Sequence, residues 1–212
     1  MSMELSGGPA YRIRTDRLVI RCFDPVDAQL MIEALEASLE HLKPWMAWAH
    51  NEPESLEKKI ERMRINRGEF DLGVDFAYGI FDPAETRILG GTGLHTRVGP
   101  GAREIGYWIH KDFTDQGLAT ESSAALVQVG FEIEKLDRVE IHCTPENVRS
   151  SAVPRKLGFT HEATLRRRTP FGNAKMRDSM IWTMFAEDYP SSLSVHTNIQ
   201  AFDAIGRQIL LT

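Results

Sequence analysis

Gly117, Leu118 and Ala119 stand where an apolar strand, a short polar loop and a long amphipathic helix meet. The first turn of a helix carries backbone N–H groups without intrahelical partners, and the helix dipole adds partial positive charge there. A turn containing Gly117 lets an anion come close to those groups, because no Cβ stands in the way. The junction therefore predicts a ligand that carries phosphate. Further along, Asn147 and Ser150 stand three residues apart at the start of another predicted helix. Ser150 read alone is a helix cap or a first-turn serine, and Asn147 is placed to cap the same helix. The chain has two cysteines, Cys22 and Cys143, both in apolar strand-like runs and without metal-ligand spacing. They read as small core residues of a reducing compartment, and no metal is expected.

The elements that must position these residues follow from pattern and punctuation. Leu18 to Phe23 reads as a strand, and Asp24-Pro25 supplies a helix cap with proline at the first helical position. The helix that follows carries Ala28, Met31, Ile32 and Leu35 at helical spacing, and Pro44 to Trp48 interrupts it. A second helix is expected from near Ser55, with Leu56, Ile60 and Met63 facing inward. Strands follow at 76–81 and 87–94 across an Asp82-Pro83 turn, then at 104–110. The glycine junction opens a helix running to about Lys135; 138–144 is strand, 150–157 helix, and two strands lie within 159–168 and 178–185. This order predicts an α/β (α+β) fold with a mixed sheet and helices on its faces.

Composition bounds the function. A chain of 212 residues suits one sizeable core, and 42% hydrophobic with 26% charged residues is ordinary for a soluble globular domain. A net charge of −5 argues against general nucleic-acid binding, which needs a basic face. Arg166-Arg167-Arg168 reads as a solvated strand end. No apolar run reaches the roughly 20 residues of a membrane span, and no leader pattern opens the chain, so a cytoplasmic protein is expected. Residues 1–10 read as a flexible N-terminus, 11–189 as one domain, and 190–212 as an extension, either a tail or a dimer-contact helix.

Six segments in register resemble one family. They are Thr15 to Arg21, Leu42 to Trp48 with its Pro-Trp-x-x-Trp core, Glu104 to Ile109, Gln116 to Glu121, Asn147 to Ser150 followed by Lys156 to Phe159, and Arg177-Asp178. The chain resembles the GNAT superfamily of acyl-CoA-dependent N-acyltransferases, in the branch related to ribosomal-protein N-terminal acetyltransferases. That resemblance implies a largely antiparallel central sheet splayed between the fourth and fifth predicted strands. It implies acetyl-CoA entering the splay, its pantetheine arm pairing with the backbone of Trp108, Ile109 and His110, and its pyrophosphate on N–H groups of Asp115, Gln116, Gly117, Leu118, Ala119 and Thr120. Asn147, Ser150 and Lys156 complete the implied cofactor set. Thr114 stands where the family's loop usually begins with Arg or Gln.

The implied chemistry is direct attack of an amine on a thioester in a ternary complex. A backbone N–H near Ile109 would hold the oxyanion, and Ser150 would donate to the departing sulfur, with Ser151 as the neighbouring alternative. Glu104 is the best single carboxylate for a base and equally readable as a structural glutamate; His142 and Glu140 follow it. Strand alternation puts Gly106 and Trp108 on the face of Glu104 and leaves a gap at Gly106 for the acceptor. His110 is read as exposed and non-catalytic. Trp45 and Trp48 read either as core packing or as the wall of the acceptor side, and Glu52, Glu54 and Glu57, with Asp71 and Asp75 further along, either as a solvated helix face or as an acidic rim that would favour a cationic amine. The acceptor implied is a protein or peptide α-amine. A small amine such as a polyamine or antibiotic, and a non-catalytic CoA-binding module, stand as alternatives, and a homodimer is possible.

Overall fold

The computed structural model describes residues 9–171 and 175–211, so most of the expected loose N-terminus, 1–8, lies outside the described residues. Ten strands among them form one sheet: β1 (Arg12–Arg14), β2 (Val19–Cys22), β3 (Phe76–Phe81), β4 (Ile88–His95), β5 (Ala102–Ile109), β6 (Arg138–Cys143), β7 (Thr160–Phe171), β8 (Lys175–Phe185), β9 (Gln200–Phe202) and β10 (Gln208–Ile209). Their order across the sheet is β10-β9-β1-β2-β3-β4-β5-β6-β8-β7. Every neighbouring pair is antiparallel except β5 with β6. Four α-helices cover it: α1 (Ala28–Leu42), α2 (Leu56–Asp71), α3 (Leu118–Gln128) and α4 (Val148–Leu157).

Local chemistry sets the helix ends. Asp24 accepts from the Val26 N–H at 3.1 Å while Asp27 accepts from the Asp24 N–H at 2.8 Å, a reciprocal cap that launches the chain into α1. Along β5, Ile105 and Ile109 join the core with Leu118 and Leu126 of α3, whereas Trp108 packs into the cluster built on Met31 and Leu35 of α1. Alternation therefore divides the strand between two helical layers. The helix expected to run to Lys135 changes at Val129 into a π turn ending at Ile133, where Glu134 donates to the Val129 carbonyl at 3.0 Å.

Residues 190–209 correct the expectation of a tail or a dimer-contact helix. The Tyr189 hydroxyl reaches the Glu132 carboxylate, Ile199 and Ala201 are buried, and β9 pairs antiparallel with β1 in the register Ile13 with Ala201. The extension continues the sheet. No 3.6-residue periodicity announced it because two short strands carry too few residues to show a period.

Candidate active site

The parallel pairing of β5 with β6 covers only Ala102, Arg103 and Glu104, opposite Arg138, Val139 and Glu140. Beyond Glu104 the two strands separate, which is the splay expected between them. The His110 N–H donates to the Leu89 carbonyl at 2.8 Å, so alternation turns the backbone groups of Ile105, Tyr107 and Ile109 away from β4 and toward the opening; of the expected Trp108, Ile109 and His110, only Ile109 faces it, because the other two spend their backbone groups on β4. On the opposite wall Thr144 presents a buried Oγ1 that has no partner among the described residues. An open strand edge facing an orphaned hydroxyl is the donor and acceptor set that an amide-bearing arm such as pantetheine would pair with. A cleft of about 550 Å³ lies here, and Trp45, Trp48, Gly106, Trp108, Asn147 and Ser150 all line it.

At the mouth, Asp115 has φ 61° and Gly117, the N-cap of α3, has φ 80°. Left-handed residues at these two positions wrap the loop into a turn of backbone N–H groups at a helix start, a concavity suited to anions. Thr114 uses its hydroxyl on the Lys111 carbonyl at 3.1 Å and takes no part in this turn. Cations arrive instead from elsewhere in the chain. Arg17 donates to the Gln116 carbonyl at 3.0 Å and pairs with Glu121 at 2.5 Å, and Arg149 lies 3.0 Å from Asp115. Sequence reasoning missed both, since neither sits near the loop in the chain. Lys156 is not brought to the site: it is exposed in the last turn of α4, the end opposite Ser150. His110 is corrected from exposed to largely buried; its Nδ1 accepts from the Asp112 N–H at 3.2 Å and its ring packs on Phe113.

Ser150 sits in the first turn of α4, its N–H donating to the Asn147 side-chain oxygen at 3.1 Å. Asn147 thus caps the helix that presents the hydroxyl. Pro154 follows four residues later and has no N–H, so the Ser150 carbonyl lacks its helical donor. The Tyr107 hydroxyl supplies that bond at 2.9 Å and lies 3.1 Å from Ser150 Oγ. A phenol has one proton; spent on the carbonyl, it leaves the oxygen free to accept from Ser150 until the serine hydroxyl turns to another partner. Burial raises the Tyr107 pKa, which keeps that proton in place. Ser151 is excluded from the same role because it is buried and its hydroxyl bonds the Val148 carbonyl at 3.1 Å. Burial also raises the Cys143 thiol, so it is not a ready thiolate.

Glu104 is nearly buried and held by Arg97 in a two-pronged pair, both contacts at 2.6 Å. Burial pushes its pKa up, but the Arg97 bonds and the neighbouring His142 outweigh it and leave the carboxyl below its ordinary range. A carboxylate so held is poorly placed to accept a proton. His142 has its Nε2 bonded to Glu140 at 2.7 Å and its Nδ1 facing Glu104 at 3.5 Å. The gap expected at Gly106 is partly filled. A Cβ at that position would stand 3.3 Å from Nε2 of His95, a residue the sequence reading did not select. His95 closes a strand with no motif around it, so nothing local marks it; Asp75, 2.7 Å from its Nδ1, lies in the segment before β3.

On the side of the cleft where the acceptor was expected, Trp48 stands edge-on to Trp108 at 6.3 Å between ring centres, and Trp45 lines the same cleft. The expected acidic rim is largely neutralised. Lys59, not Leu56, is the buried residue of that turn of α2, and its ammonium meets Glu52 and, at 3.1 Å, Glu54. Arg62 holds Glu54 from outside at 2.8 Å. Asp71 is paired with Arg67 at 3.0 Å and Asp75 with His95. The Arg62 bond first, then Lys59 against the cost of burial, bring the Glu54 pKa down to about 2. A carboxylate lowered on folding stabilises fully above its unfolded value near 4.3, and that contribution is lost as pH falls toward 2. Urea unfolding from pH 6 to pH 2.5 is expected to show stability falling through this window, and Glu54→Gln to flatten the fall; an unchanged slope would show that Glu54 does not set it.

Among the described residues no helix is long and apolar enough to cross a membrane and no His, Cys, Asp and Glu group could hold a metal ion. The acetyltransferase (GNAT) domain family matches residues 17–160. The chain is 32% identical over 155 residues to the Bacillus subtilis (strain 168) protein YdaF, provisionally named a ribosomal N-acetyltransferase, covering 71% of this chain and 82% of that one. It is 28% identical over 163 residues to the Escherichia coli (strain K12) [ribosomal protein uS5]-alanine N-acetyltransferase, covering 74% and 82%. Among solved structures, Mycobacterium smegmatis RimJ in complex with CoA-disulfide superposes with a TM-score of 0.75 at 24% identity over 87% of this chain and 90% of that one, a likeness of fold.

Proposed function

Because the chain belongs to the acetyltransferase (GNAT) family, we propose that it moves an acetyl group from acetyl-CoA to the α-amine of a protein or peptide. The observation that carries this reading is the splay: an unpaired β5 edge facing Thr144, with the Ser150 hydroxyl presented in the same cleft. The thioester supplies an acyl group open to attack by a neutral amine. The chain's part is to hold and polarise it. The N–H groups from Asp115 to Thr120, helped by Arg17 and Arg149, receive the pyrophosphate. Ile105, Tyr107 and Ile109 pair with the pantetheine arm, and the Ile109 N–H is directed at the carbonyl oxygen as charge develops there. Ser150, released from Tyr107, donates to the sulfur as it leaves. Transfer is direct, since the Cys143 thiol is held protonated by burial.

The names of the uS5-alanine enzyme and of YdaF support a protein acceptor. The neutralised rim agrees with it: with Glu52 and Glu54 bound by Lys59 and Arg62, the wall offers little net negative charge to a polyamine. The test is thiol release from acetyl-CoA with a panel of peptide N-termini and small polyamines, comparing wild type with Ser150→Ala. Peptide-dependent release that drops ~10–1,000-fold in the variant is expected, the scale for loss of one donor. Full activity in Ser150→Ala removes the serine's role, and release with polyamines alone removes the peptide acceptor.

A further inference from the structure

The geometry points to His95, oriented by Asp75, as the group that takes the proton from the attacking amine. The residues that face this ring are Asp75 from the segment before β3, Arg97 after β4, Glu104 on β5 and His142 on β6. Two of them exclude each other from the task. Glu104 is clamped by Arg97, and both nitrogens of His142 lie against carboxylates. Of the two histidines beside Glu104, only His95 has a nitrogen with no carboxylate against it. Nδ1 is 2.7 Å from Asp75 Oδ2, while Nε2 has no hydrogen-bond partner among the described residues. Asp75 also accepts from the Thr96 N–H at 3.1 Å, and its pKa lies below the ordinary range, since these bonds outweigh its burial. An ionised carboxylate has no proton to give, so Nδ1 carries the hydrogen and Nε2 presents a lone pair.

The backbone around the ring is cut away to admit it. On β4 and β5, Gly93 lies opposite Gly106, and His95 opposite Glu104. A Cβ at Gly93 would stand 2.6 Å from Nε2, closer than any side-chain carbon can lie. Two facing glycines thus form a trough in which the imidazole lies along the sheet, with its free nitrogen above the strand whose unpaired edge borders the splay. Nε2 is where an amine would arrive after passing Trp48 and Trp108.

The step balances as follows. The amine nitrogen forms its bond to the acyl carbon and the carbon–sulfur bond breaks with its electron pair going to sulfur. One N–H proton passes to Nε2, making an imidazolium held by Asp75, and is then released to water. The thiolate, held by the Ser150 hydroxyl, takes a proton from water as it leaves.

This inference rests on the acetyl-transfer reading, and one experiment separates the two. Acceptor-dependent CoA release from acetyl-CoA is measured from pH 5.5 to 9 with a peptide bearing a free α-amine, for wild type, His95→Gln, Asp75→Asn and Glu104→Gln, alongside CoA binding. His95→Gln is expected to lose ~10²–10⁴-fold in kcat, the range for a general base, with CoA affinity unchanged and the acidic limb of kcat gone, read with acceptor saturating at every pH so that the free amine's own ionisation near 8 drops out. Asp75→Asn keeps the ring but not its tautomer, and is expected to lower kcat and displace that limb, whereas Glu104→Gln retains it. A His95→Gln enzyme within threefold of wild type, or one that keeps the limb, overturns the assignment. Should His95→Gln not fold, an unaltered profile in Asp75→Asn overturns it equally. A wild type that releases no CoA with any acceptor would remove the acetyl-transfer reading, and this inference with it.

Discussion

Lys59→Met is expected to lower the stability of the protein by about 3–5 kcal/mol, the usual cost of removing one partner from a buried ion pair. The ammonium is almost wholly buried and stands between two carboxylates, Glu52 and Glu54, whose side chains are themselves only 8% and 15% exposed. Methionine fills the same volume, so the loss is electrostatic: two carboxylates would share a low-dielectric site with Arg62 as their remaining cation. For a chain of this size the change corresponds to a fall in melting temperature of roughly 6–20 °C. The second variant, Lys59→Met with Glu52→Gln, is expected to recover a large part of it, because the uncompensated charge goes too. Calorimetry on both reads the result. A single variant within about 1 kcal/mol of wild type would show that the pair is solvated in solution. Because Glu52 follows the turn that bears Trp48, hydrogen exchange in residues 45–54 should rise in the single variant before the rest of the sheet responds.

Gly90→Ala is expected to lower kcat by about 100-fold while costing about 1–3 kcal/mol of stability. Gly90 is paired with Ile109 on the strand that borders the splay, and a Cβ there would meet the Trp108 carbonyl oxygen at 2.3 Å. That contact is with backbone, so no rotamer relieves it; β5 must retreat by roughly an ångström to restore ordinary separation. The strand that moves carries the Ile109 N–H and the Tyr107 that tethers Ser150. On the proposed acetyl-transfer reading, an oxyanion donor displaced by that distance loses most of its effect, while CoA phosphates seated on the α3 loop would bind nearly as before. Steady-state kinetics with acetyl-CoA should therefore show kcat falling far more than the KM for acetyl-CoA rises. Equal effects on both, or none on kcat, would mean that β5 does not aim the donor.

The residues legible in the sequence were those whose neighbours in the chain are also their neighbours in space. Gly117, Asn147 and Ser150 lie within single turns, and their caps and loop conformations are local events that a few residues announce. Alternation along β5 put Glu104, Gly106 and Trp108 on one face, and the cleft is lined by these together with Ile105 and Tyr107 of the other. What the sequence could not carry are pairings across distance. Glu104 reads as a free carboxylate until Arg97 closes on it, and the acidic rim reads as a cation attractant until Lys59 is buried beneath it. Hydrophobic periodicity assigned the inward face of α2 to Leu56, because a buried lysine cannot be inferred without its partners. His95 and Asp75 are twenty residues apart by their numbers and meet only when β4 folds back on β3.

The pairing of β1 with β9 bears on how the molecule is made as well as how it stands. Ile13 is among the first described residues to leave the ribosome, and its partner Ala201 among the last. The rest of the sheet, β2 through β8, can assemble while synthesis continues, but β1 has an unpaired edge until residues 200–202 emerge. Contacts this far apart along the chain form late, and an open edge invites pairing with other nascent chains meanwhile. Arg12 and Arg14 flank Ile13 on that edge and place charge there during the wait.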